Sequence, residues 1–405
     1  MTLIPPSDHC SRGREAVAML CPVPSLSIFK PRDLGSRDNA LNLLRLVLAL
    51  LVVFSHTHIL AGVGNGVVWE GQHIGSWAVV GFFTISGYLI TGARERSSAG
   101  KYLINRVARI YPGYLLALVV VAFGFGPAAH WIETGSLDGY LTTPVTPLNY
   151  LWGNSLLQIS SYSIGTTLSG TPYGQAWNGS LWSLYYEFWC YIIIGVFLSW
   201  GYLRARIWPT ALLFLASFAA HAGIDWLNPY IQSNSSLGLL LFMLPYFMGG
   251  ALIYQCREYL PMRLWLSVLC AIGSFLLIHT FPDFGKQLAS PLMAYIFLWL
   301  GAVLPSPGFT KIHDVSYGVY IFHFPVVQFL ILLGLHKHGF WLLLVVASFC
   351  TLIMATASWF GIERAAMRWV RGRKPWGDLR RGAAPISQRL ALSAPLVRRG
   401  AELRV

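Results

Sequence analysis

Ten apolar stretches, each a candidate membrane span, dominate this sequence. Their approximate bounds are 43–63, 74–92, 111–126, 180–200, 207–224, 237–256, 264–281, 288–304, 315–334 and 339–361. Hydrophobic residues make up 55% of the 405 residues and charged residues only 11%, a composition too apolar for a soluble protein of this length. The sequence therefore predicts an all-α fold, namely a polytopic transmembrane helix bundle of about ten transmembrane helices.

The formal net charge of +13 would suit a nucleic-acid partner. The Lys and Arg residues, however, fall on alternate sides of the apolar stretches, as the positive-inside rule predicts for a membrane protein. We therefore expect a lipid bilayer and no nucleic acid as partner, with both termini cytoplasmic. Residues 1–38 are expected to form an irregular basic cytoplasmic arm, residues 39–362 the integral membrane domain, and residues 363–405 a basic cytoplasmic tail.

The first apolar stretch contains Arg45 and, eleven residues later, His56. That spacing places both side chains on one helical face, roughly 16 Å apart along the axis. Charged side chains at membrane depth are costly and usually face a polar cavity, so we expect one cavity to contain both. The alternative is that Arg45 extends to the lipid headgroups and His56 is a hydrogen-bonded histidine of the core.

Three further charged residues stand near the predicted membrane. Arg106 and Arg109 share one face of a predicted helix. Topology and lipid contact would explain them, but guanidinium groups also bind phosphate oxygens in pairs. Glu187 lies about two turns into the fourth apolar stretch, at a depth similar to that of His56. A buried carboxylate needs a cation or stays protonated, so Glu187 and His56 are predicted to form a proton-handling pair.

Three weaker features remain. His323 stands beside Pro325, which could kink the helix, although a lone histidine is more often structural. The segment 127–179 contains no Lys or Arg but seven Trp and Tyr residues, which suits either a carbohydrate-binding face or an aromatic membrane belt. The six cysteines show no metal-ligand spacing, so neither a metal site nor a disulfide is expected.

Five motifs in this order resemble the acyltransferase-3 family of bacterial integral membrane acyltransferases, over about residues 38–365. They are Arg45-x10-His56, FFTISGYLIT (Phe82 to Thr91), Arg106-x2-Arg109, SLWSLYYEFW (Ser180 to Trp189) and SYGVYIFHFP (Ser316 to Pro325). The chain departs from the family where Glu363 is followed by RAAMRW rather than closely by a proline, so Glu363 is assigned no role. Larger members add an extracytoplasmic hydrolase-like domain, and here the membrane domain is expected to complete transfer alone or with a separate partner.

The resemblance implies an O-acyltransferase in the bacterial cytoplasmic (inner) membrane, with residues 39–362 as its acyltransferase domain. It would move an acyl group, commonly acetyl, from cytoplasmic acyl-CoA to a hydroxyl of a polysaccharide or other glycosylated acceptor. Arg45, Arg106 and Arg109 would then hold the donor acyl-CoA, and the family fold implies no metal.

The resemblance also implies that His56 and Glu187 lie at the transfer site. We expect His56 to be the base for the acceptor hydroxyl and Glu187 to orient it, with a covalent acyl-histidine as an open alternative. Trp182, Tyr186 and His323 are expected to bind the acceptor.

A transporter or flippase of a lipid-linked saccharide is the alternative from another class, with the same charged residues as substrate or proton sites. It would be favoured by inverted repeats of the spans, and the sequence shows no internal repeat. The family resemblance favours the enzyme.

Overall fold

The computed structural model describes residues 31–36, 38–174, 176–227 and 235–372, and these are mostly helical. Within these described residues, ten helices of fourteen residues or more form the bundle. We number them α1 (Leu41–Leu60), α2 (Ile74–Glu95), α3 (Ala99–Val120), α4 (Trp182–Phe197), α5 (Ile207–Ala222), α6 (Ser235–Gln255), α7 (Leu264–Thr280), α8 (Ser290–Val303), α9 (Ser316–Leu332) and α10 (Phe340–Ser358). Each predicted apolar stretch overlaps one of these helices, because continuous apolar sequence favours internally bonded backbone.

Five helical segments are long and apolar enough to cross a bilayer: Leu41–Leu60, Ile74–Glu95, Ala99–Thr134, Ser236–Gln255 and Phe340–Gly372. The other apolar helices, α4, α5 and α7 to α9, have 17 residues or fewer. The prediction of a multi-pass helical membrane protein is confirmed, whereas ten crossings and two cytoplasmic termini stay predictions. Most of the predicted N-terminal arm, and the predicted tail beyond Gly372, lie outside the described residues.

Short elements connect these helices. One antiparallel hairpin of two-residue strands, β1 (Val68–Trp69) and β2 (Gln72–His73), is the departure from an all-helical fold within the described residues. The short helices and helical turns are Val121–Phe125, Gly126–Thr134, Tyr140–Thr142, Pro147–Asn154, Gly201–Arg204, Ile224–Leu227, Gly285–Leu288, Gly308–Ile312, Leu335–His338, Trp359–Glu363 and Arg364–Gly372. The last two continue α10 without a break, so the helix extends beyond the predicted end of the membrane domain at residue 362.

The aromatic segment between α3 and α4 is partly a core of its own. Trp177 is fully buried, and its indole N–H donates to Thr167 Oγ1 over 2.9 Å. Tyr150 is also fully buried and accepts a hydrogen bond of 2.6 Å from Asn178. Trp152, by contrast, is 76% exposed. The predicted aromatic face is therefore divided, since some of its rings fill the core and others remain accessible.

The central helix α2 contacts α1, α4, α6 and α8, and most of its residues are buried. Small residues bring its backbone against that of α6. A Cβ atom placed on Gly87 would lie 1.9 Å from the carbonyl oxygen of Phe247, and one placed on Gly250 would lie 2.0 Å from that of Thr84. Close backbone approach at small residues is a main source of helix association in membranes.

Helices α1 and α2 are antiparallel, and two contacts fix their register. Gly75 faces Ser55, since a Cβ at Gly75 would meet the Ser55 side chain at 2.8 Å. Gly81 faces Leu48 in the same way at 3.0 Å. The stretch of α2 around Gly81 therefore lies at a depth between Arg45 and His56 of α1.

We expect Gly250→Ala to lower the free energy of unfolding, because its methyl group would overlap the Thr84 carbonyl. Overpacking of this kind costs about 1–3 kcal/mol. The matched control is Gly238→Ala in the same helix, where a Cβ meets nothing within 4 Å. Because Ala favours helix over Gly by up to about 1 kcal/mol, the control should keep or raise stability. Thermal unfolding in detergent would measure both, and equal transition temperatures would contradict the α2–α6 contact.

Candidate active site

Two carboxylates and two guanidinium groups form a largely buried ion cluster at one end of the bundle, with between 1% and 16% of each side chain exposed. Arg45 of α1 and Arg109 of α3 both donate to Asp314 Oδ2, the second over 2.6 Å. Arg109 also lies 3.5 Å from Glu363 Oε2. Charges held away from water need partners. This ion cluster (Arg45, Arg109, Asp314, Glu363) therefore ties together α1, α3, the start of α9 and the end of α10.

Asp314 is the shared anion of the ion cluster. It precedes α9, and its Oδ1 accepts hydrogen bonds from the amide of Ser316 (3.3 Å) and from its hydroxyl (2.5 Å). Burial alone would raise the pKa of Asp314, but Arg45 and Arg109, with the Ser316 bonds, outweigh burial and hold that pKa below its usual range. Asp314 is therefore ionised at neutral pH.

Glu363 is the most buried member of the ion cluster, with 1% of its side chain exposed. Its Oε1 accepts a hydrogen bond of 2.8 Å from Ser358 Oγ. The Arg109 guanidinium between the two carboxylates lies 5.5 Å from the ring centroid of Tyr317 and 5.4 Å from that of Trp359. Glu363 had no predicted role, whereas the structure places it against Arg109, a predicted donor-binding residue.

A basic cavity of about 510 Å³ opens beside the ion cluster. Its cationic lining residues are Arg106, Arg109, Lys311, Arg364, Arg368 and Arg371. Asp314 is the one acidic residue among the described lining residues. Arg106 Nε and Arg109 Nη1 are buried and have no hydrogen-bond partner in the described part of the chain. Phosphate oxygens pair well with such N–H groups, so the basic cavity suits a phosphate-bearing ligand.

A second cavity, of about 530 Å³, adjoins the basic cavity and shares Asn42, Lys311 and Arg371 with it. Arg96 and Arg257 extend its cationic lining. The two cavities together leave room for a ligand larger than a single phosphate group.

A much smaller chamber, of about 30 Å³, lies deeper in the bundle. Its lining residues include Arg45, Glu187 and the rings of Phe82, Phe83, Tyr317 and Tyr320. Because Phe82 and Phe83 follow Gly81, the chamber lies between the depths of Arg45 and His56. The lining includes Arg45 but not His56, so a single cavity containing both residues stays a prediction.

His56 is paired with His323 and not with Glu187. His56 Nδ1 lies 2.7 Å from His323 Nε2, and the side chain of His323 is completely buried. Glu187 Oε1 accepts hydrogen bonds from Ser86 Oγ (2.8 Å) and Tyr191 OH (2.6 Å). The predicted hydrogen-bonded pair of His56 and Glu187 is therefore wrong. Similar depth did not imply contact, because the two side chains project from different helices toward different neighbours.

The remaining predicted acceptor residues stand at the start of α4. Trp182 and Tyr186 pack edge to face at the start of α4, with ring centroids 5.7 Å apart. Neither lines the basic cavity, the second cavity or the chamber. Their predicted role in binding the acceptor stays a prediction.

Two different sets of side chains stand near opposite ends of α1. At one end are the cations of the basic cavity, two of whose N–H groups lack a hydrogen-bond partner among the described residues. Near the other end is the pair of His56 and His323. The chamber lies at a depth between these two ends of α1. Tyr320 contacts both the chamber and the histidine pair. The Tyr320 ring lines the chamber, and the Tyr320 carbonyl oxygen lies 2.7 Å from His323 Nδ1. This geometry suits a phosphate-bearing substrate whose reactive end extends toward His56.

Asp314→Asn tests the ion cluster. The change leaves the guanidinium groups of Arg45 and Arg109 without their shared anion. Removing one partner of a buried ion pair lowers the free energy of unfolding by about 3–5 kcal/mol. Because the folded-state pKa of Asp314 is depressed, its contribution is present above its unfolded pKa of about 3.9 and is lost only as pH falls below that value. We therefore expect a lower unfolding temperature at pH 7 and a smaller difference from wild type in strong acid.

The matched control is Asp38→Asn, which removes the exposed ion pair of Asp38 with Lys311. Exposed pairs contribute little, so its unfolding temperature should stay close to that of wild type. Equal effects of the two variants would contradict a structural role for the ion cluster.

Comparison with known proteins identifies the family. A profile of the acyltransferase-3 family, described as "Acyltransferase domain", matches residues 38–360. The chain is 26% identical to an "O-acetyl transferase" of Shigella phage Sf6, over 81% of this chain and 96% of that protein. It is 27% identical to "Nodulation protein 10" of Rhizobium leguminosarum bv. viciae, over 82% and 94% respectively. No solved structure matches the chain. With most of its length matched, this multi-pass membrane protein belongs to the acyltransferase-3 family and is an acyltransferase.

Proposed function

We propose that this protein is an O-acyltransferase that moves an acyl group, usually acetyl, from acyl-CoA to a hydroxyl of a glycan. It acts in the bacterial cytoplasmic membrane, crosses it about ten times and has both termini in the cytoplasm. One observation carries the proposal: a phosphate-suited basic cavity and a partly buried histidine stand at opposite ends of α1, with the chamber between them. The name of the phage relative, an O-acetyl transferase, supports acetyl as the acyl group and oxygen as the atom that receives it.

The basic cavity binds the nucleotide phosphates of the donor. Six cationic side chains line it, and Arg106 Nε and Arg109 Nη1 have no hydrogen-bond partner among the described residues. Asp314 and Glu363 form ion pairs with the guanidinium of Arg109. Phosphate oxygens would bind the same N–H groups, so donor binding loosens the ion cluster. The acyl thioester then extends roughly 16 Å along α1, through a widened chamber, to His56.

His56 is the general base of the transfer. Its Nε2 has no hydrogen-bond partner among the described residues, so it is free to take the proton of an acceptor hydroxyl. The hydroxyl oxygen forms a bond to the acyl carbon, and the bond between that carbon and the CoA sulfur breaks. The proton held on His56 passes to the leaving thiolate, which balances the reaction as an ester and a free thiol. The acceptor enters from the end of α1 near Leu60, where the loop segments lie.

Glu187 acts along the route of the acyl arm. Its carboxylate lines the chamber with Arg45 and is held by Ser86 and Tyr191. A carboxylate and a cation lining one narrow chamber compensate each other's charge in apolar surroundings. Glu187 is therefore proposed to shape the chamber and to keep Arg45 in place, rather than to orient His56.

We expect His56→Ala to reduce kcat for acyl transfer by about 10²–10⁴-fold, the usual contribution of a general base. Binding of the donor should be unchanged, because His56 lies far from the basic cavity. Radiolabelled acetyl-CoA and glycan extracts, with protein in nanodiscs, would measure transfer. The control is His279→Ala, since His279 is 72% exposed and outside the proposed site. Near-normal transfer by folded His56→Ala protein would overturn the assignment.

The double variant Arg368→Ala/Arg371→Ala tests the donor site. We expect a KM for acetyl-CoA raised at least several-fold and little change in kcat, because two cations of the basic cavity are removed far from the reacting atoms. With acetyl-pantetheine, which lacks the nucleotide phosphates, wild type and variant should have equal KM values. Arg263→Ala removes an exposed arginine outside both cavities and serves as control. An unchanged KM for acetyl-CoA in the double variant would place the donor elsewhere.

A further inference from the structure

The two imidazole rings of the histidine pair meet edge to edge. Their planes are 10° from parallel, and their centroids are 5.0 Å apart. The nitrogen-to-nitrogen distance is only 2.7 Å, so the ring edges rather than the ring faces are in contact. Such a short contact between two ring nitrogens requires one proton between them. Which ring donates this proton decides whether His56 can act as a base.

The second nitrogen of His323 settles the position of the proton. His323 Nδ1 lies 2.7 Å from the carbonyl oxygen of Tyr320, one turn earlier in α9. A carbonyl oxygen only accepts hydrogen bonds, so His323 Nδ1 carries a proton. A neutral imidazole carries one proton, which makes His323 Nε2 an acceptor. His56 Nδ1 must then be the donor, and His56 Nε2 is left with its lone pair.

A charged His323 would reverse this assignment, but its surroundings disfavour the charge. The His323 side chain is fully buried, and its hydrogen-bond partners in the described residues are the neutral backbone of Tyr320 and Val319 and the ring of His56. An imidazolium held away from water without a carboxylate is costly. Tyr320 is itself anchored, because its hydroxyl bonds to Ser183 Oγ (2.7 Å) and to the Ser180 carbonyl (2.8 Å). The acceptor for His323 is therefore held in place.

We propose that His323 is a positioning residue that holds His56 in the tautomer with the proton on Nδ1 and the lone pair on Nε2. The proposal rests on the proposed function, in which His56 is the base. When His56 Nε2 accepts the proton of the acceptor hydroxyl, its Nδ1–H bond to His323 becomes charge-assisted and stabilises the imidazolium. A neutral imidazole thus serves here where serine proteases use a carboxylate.

This role replaces the one that the sequence suggested for His323. Binding of an acceptor would require a free ring nitrogen or an exposed ring edge. Both nitrogens are engaged by the protein, and the side chain has no exposed surface. His323 therefore acts through His56 and not on the glycan.

The kinetic test compares two substitutions of His323 with wild type. His323→Ala removes the acceptor for His56 Nδ1–H and should lower kcat by at least about 10-fold, and by less than the about 10⁴-fold seen when a charged carboxylate partner of a catalytic histidine is lost. The KM for acetyl-CoA should stay within about twofold. His323→Gln offers an amide oxygen to the same N–H, so it should recover part of the lost kcat. His58→Ala, two residues from His56 and bonded to Phe54, is the matched control and should resemble wild type.

The spectroscopic test does not depend on activity. Protein labelled with ¹⁵N-histidine, with His56→Gln and His323→Gln spectra used for assignment, reports which ring nitrogens carry protons. In wild type we expect unprotonated Nε2 and protonated Nδ1 on both histidines, and in His323→Ala a shift of His56 toward the other tautomer. A protonated Nε2 on neutral His56 in wild type would overturn the proposal.

The two tests separate this proposal from the proposed function. If wild type transfers no acyl group, the function fails while the tautomer measurement still decides the role of His323. If transfer occurs and His323→Ala, shown to be folded by thermal unfolding, raises KM as much as it lowers kcat, His323 supports the bundle and the positioning role is overturned.

Discussion

The structure depends on the pairing of charges that are buried among apolar helices. Arg45, Arg109, Asp314 and Glu363 are separated by up to 318 residues in the chain, yet they converge at one end of the bundle. Each charge alone would be costly at this depth, and together they are tolerated. The ion cluster fixes where α1, α3, α9 and α10 meet. It also borders the basic cavity, so the contacts that hold the helices together are the ones with which the proposed donor would compete.

Sequence alone predicted the helices well, because apolar length is a local property. All ten stretches became helices, and the small residues Gly81 and Gly87 in α2 lie where other helices approach closely. Arg106 and Arg109 line the same basic cavity, and their role in binding the donor stays a prediction. The partners were less predictable. Asp314 stands alone in the sequence, and only the fold brings it to Arg45. The failed pair of His56 with Glu187 shows the same limit, since depth in the membrane does not specify the direction in which a side chain points.

The histidine pair illustrates how backbone geometry sets the chemistry of a side chain. A carbonyl group in α9 determines the protonation of His323, and His323 in turn determines which nitrogen of His56 is free. No residue in this chain of contacts carries a formal charge. The signal in the sequence was the position of His323 in the same motif as Tyr320, three residues apart and therefore about one turn apart on the helix. That spacing was visible, but its partner on α1 was not.

The narrow chamber bears on how the protein coexists with an energised membrane. A space of about 30 Å³ holds only about one or two water molecules, and the ion cluster lies next to it. An acyl group that passes from one side of a bilayer to the other needs a route, yet a wide aqueous route would also conduct protons. A constriction of this width, lined by aromatic rings and by a guanidinium group, leaves no room for a continuous column of water at this depth. If the proposed transfer takes place here, the acyl group would pass a point that water between turnovers would not.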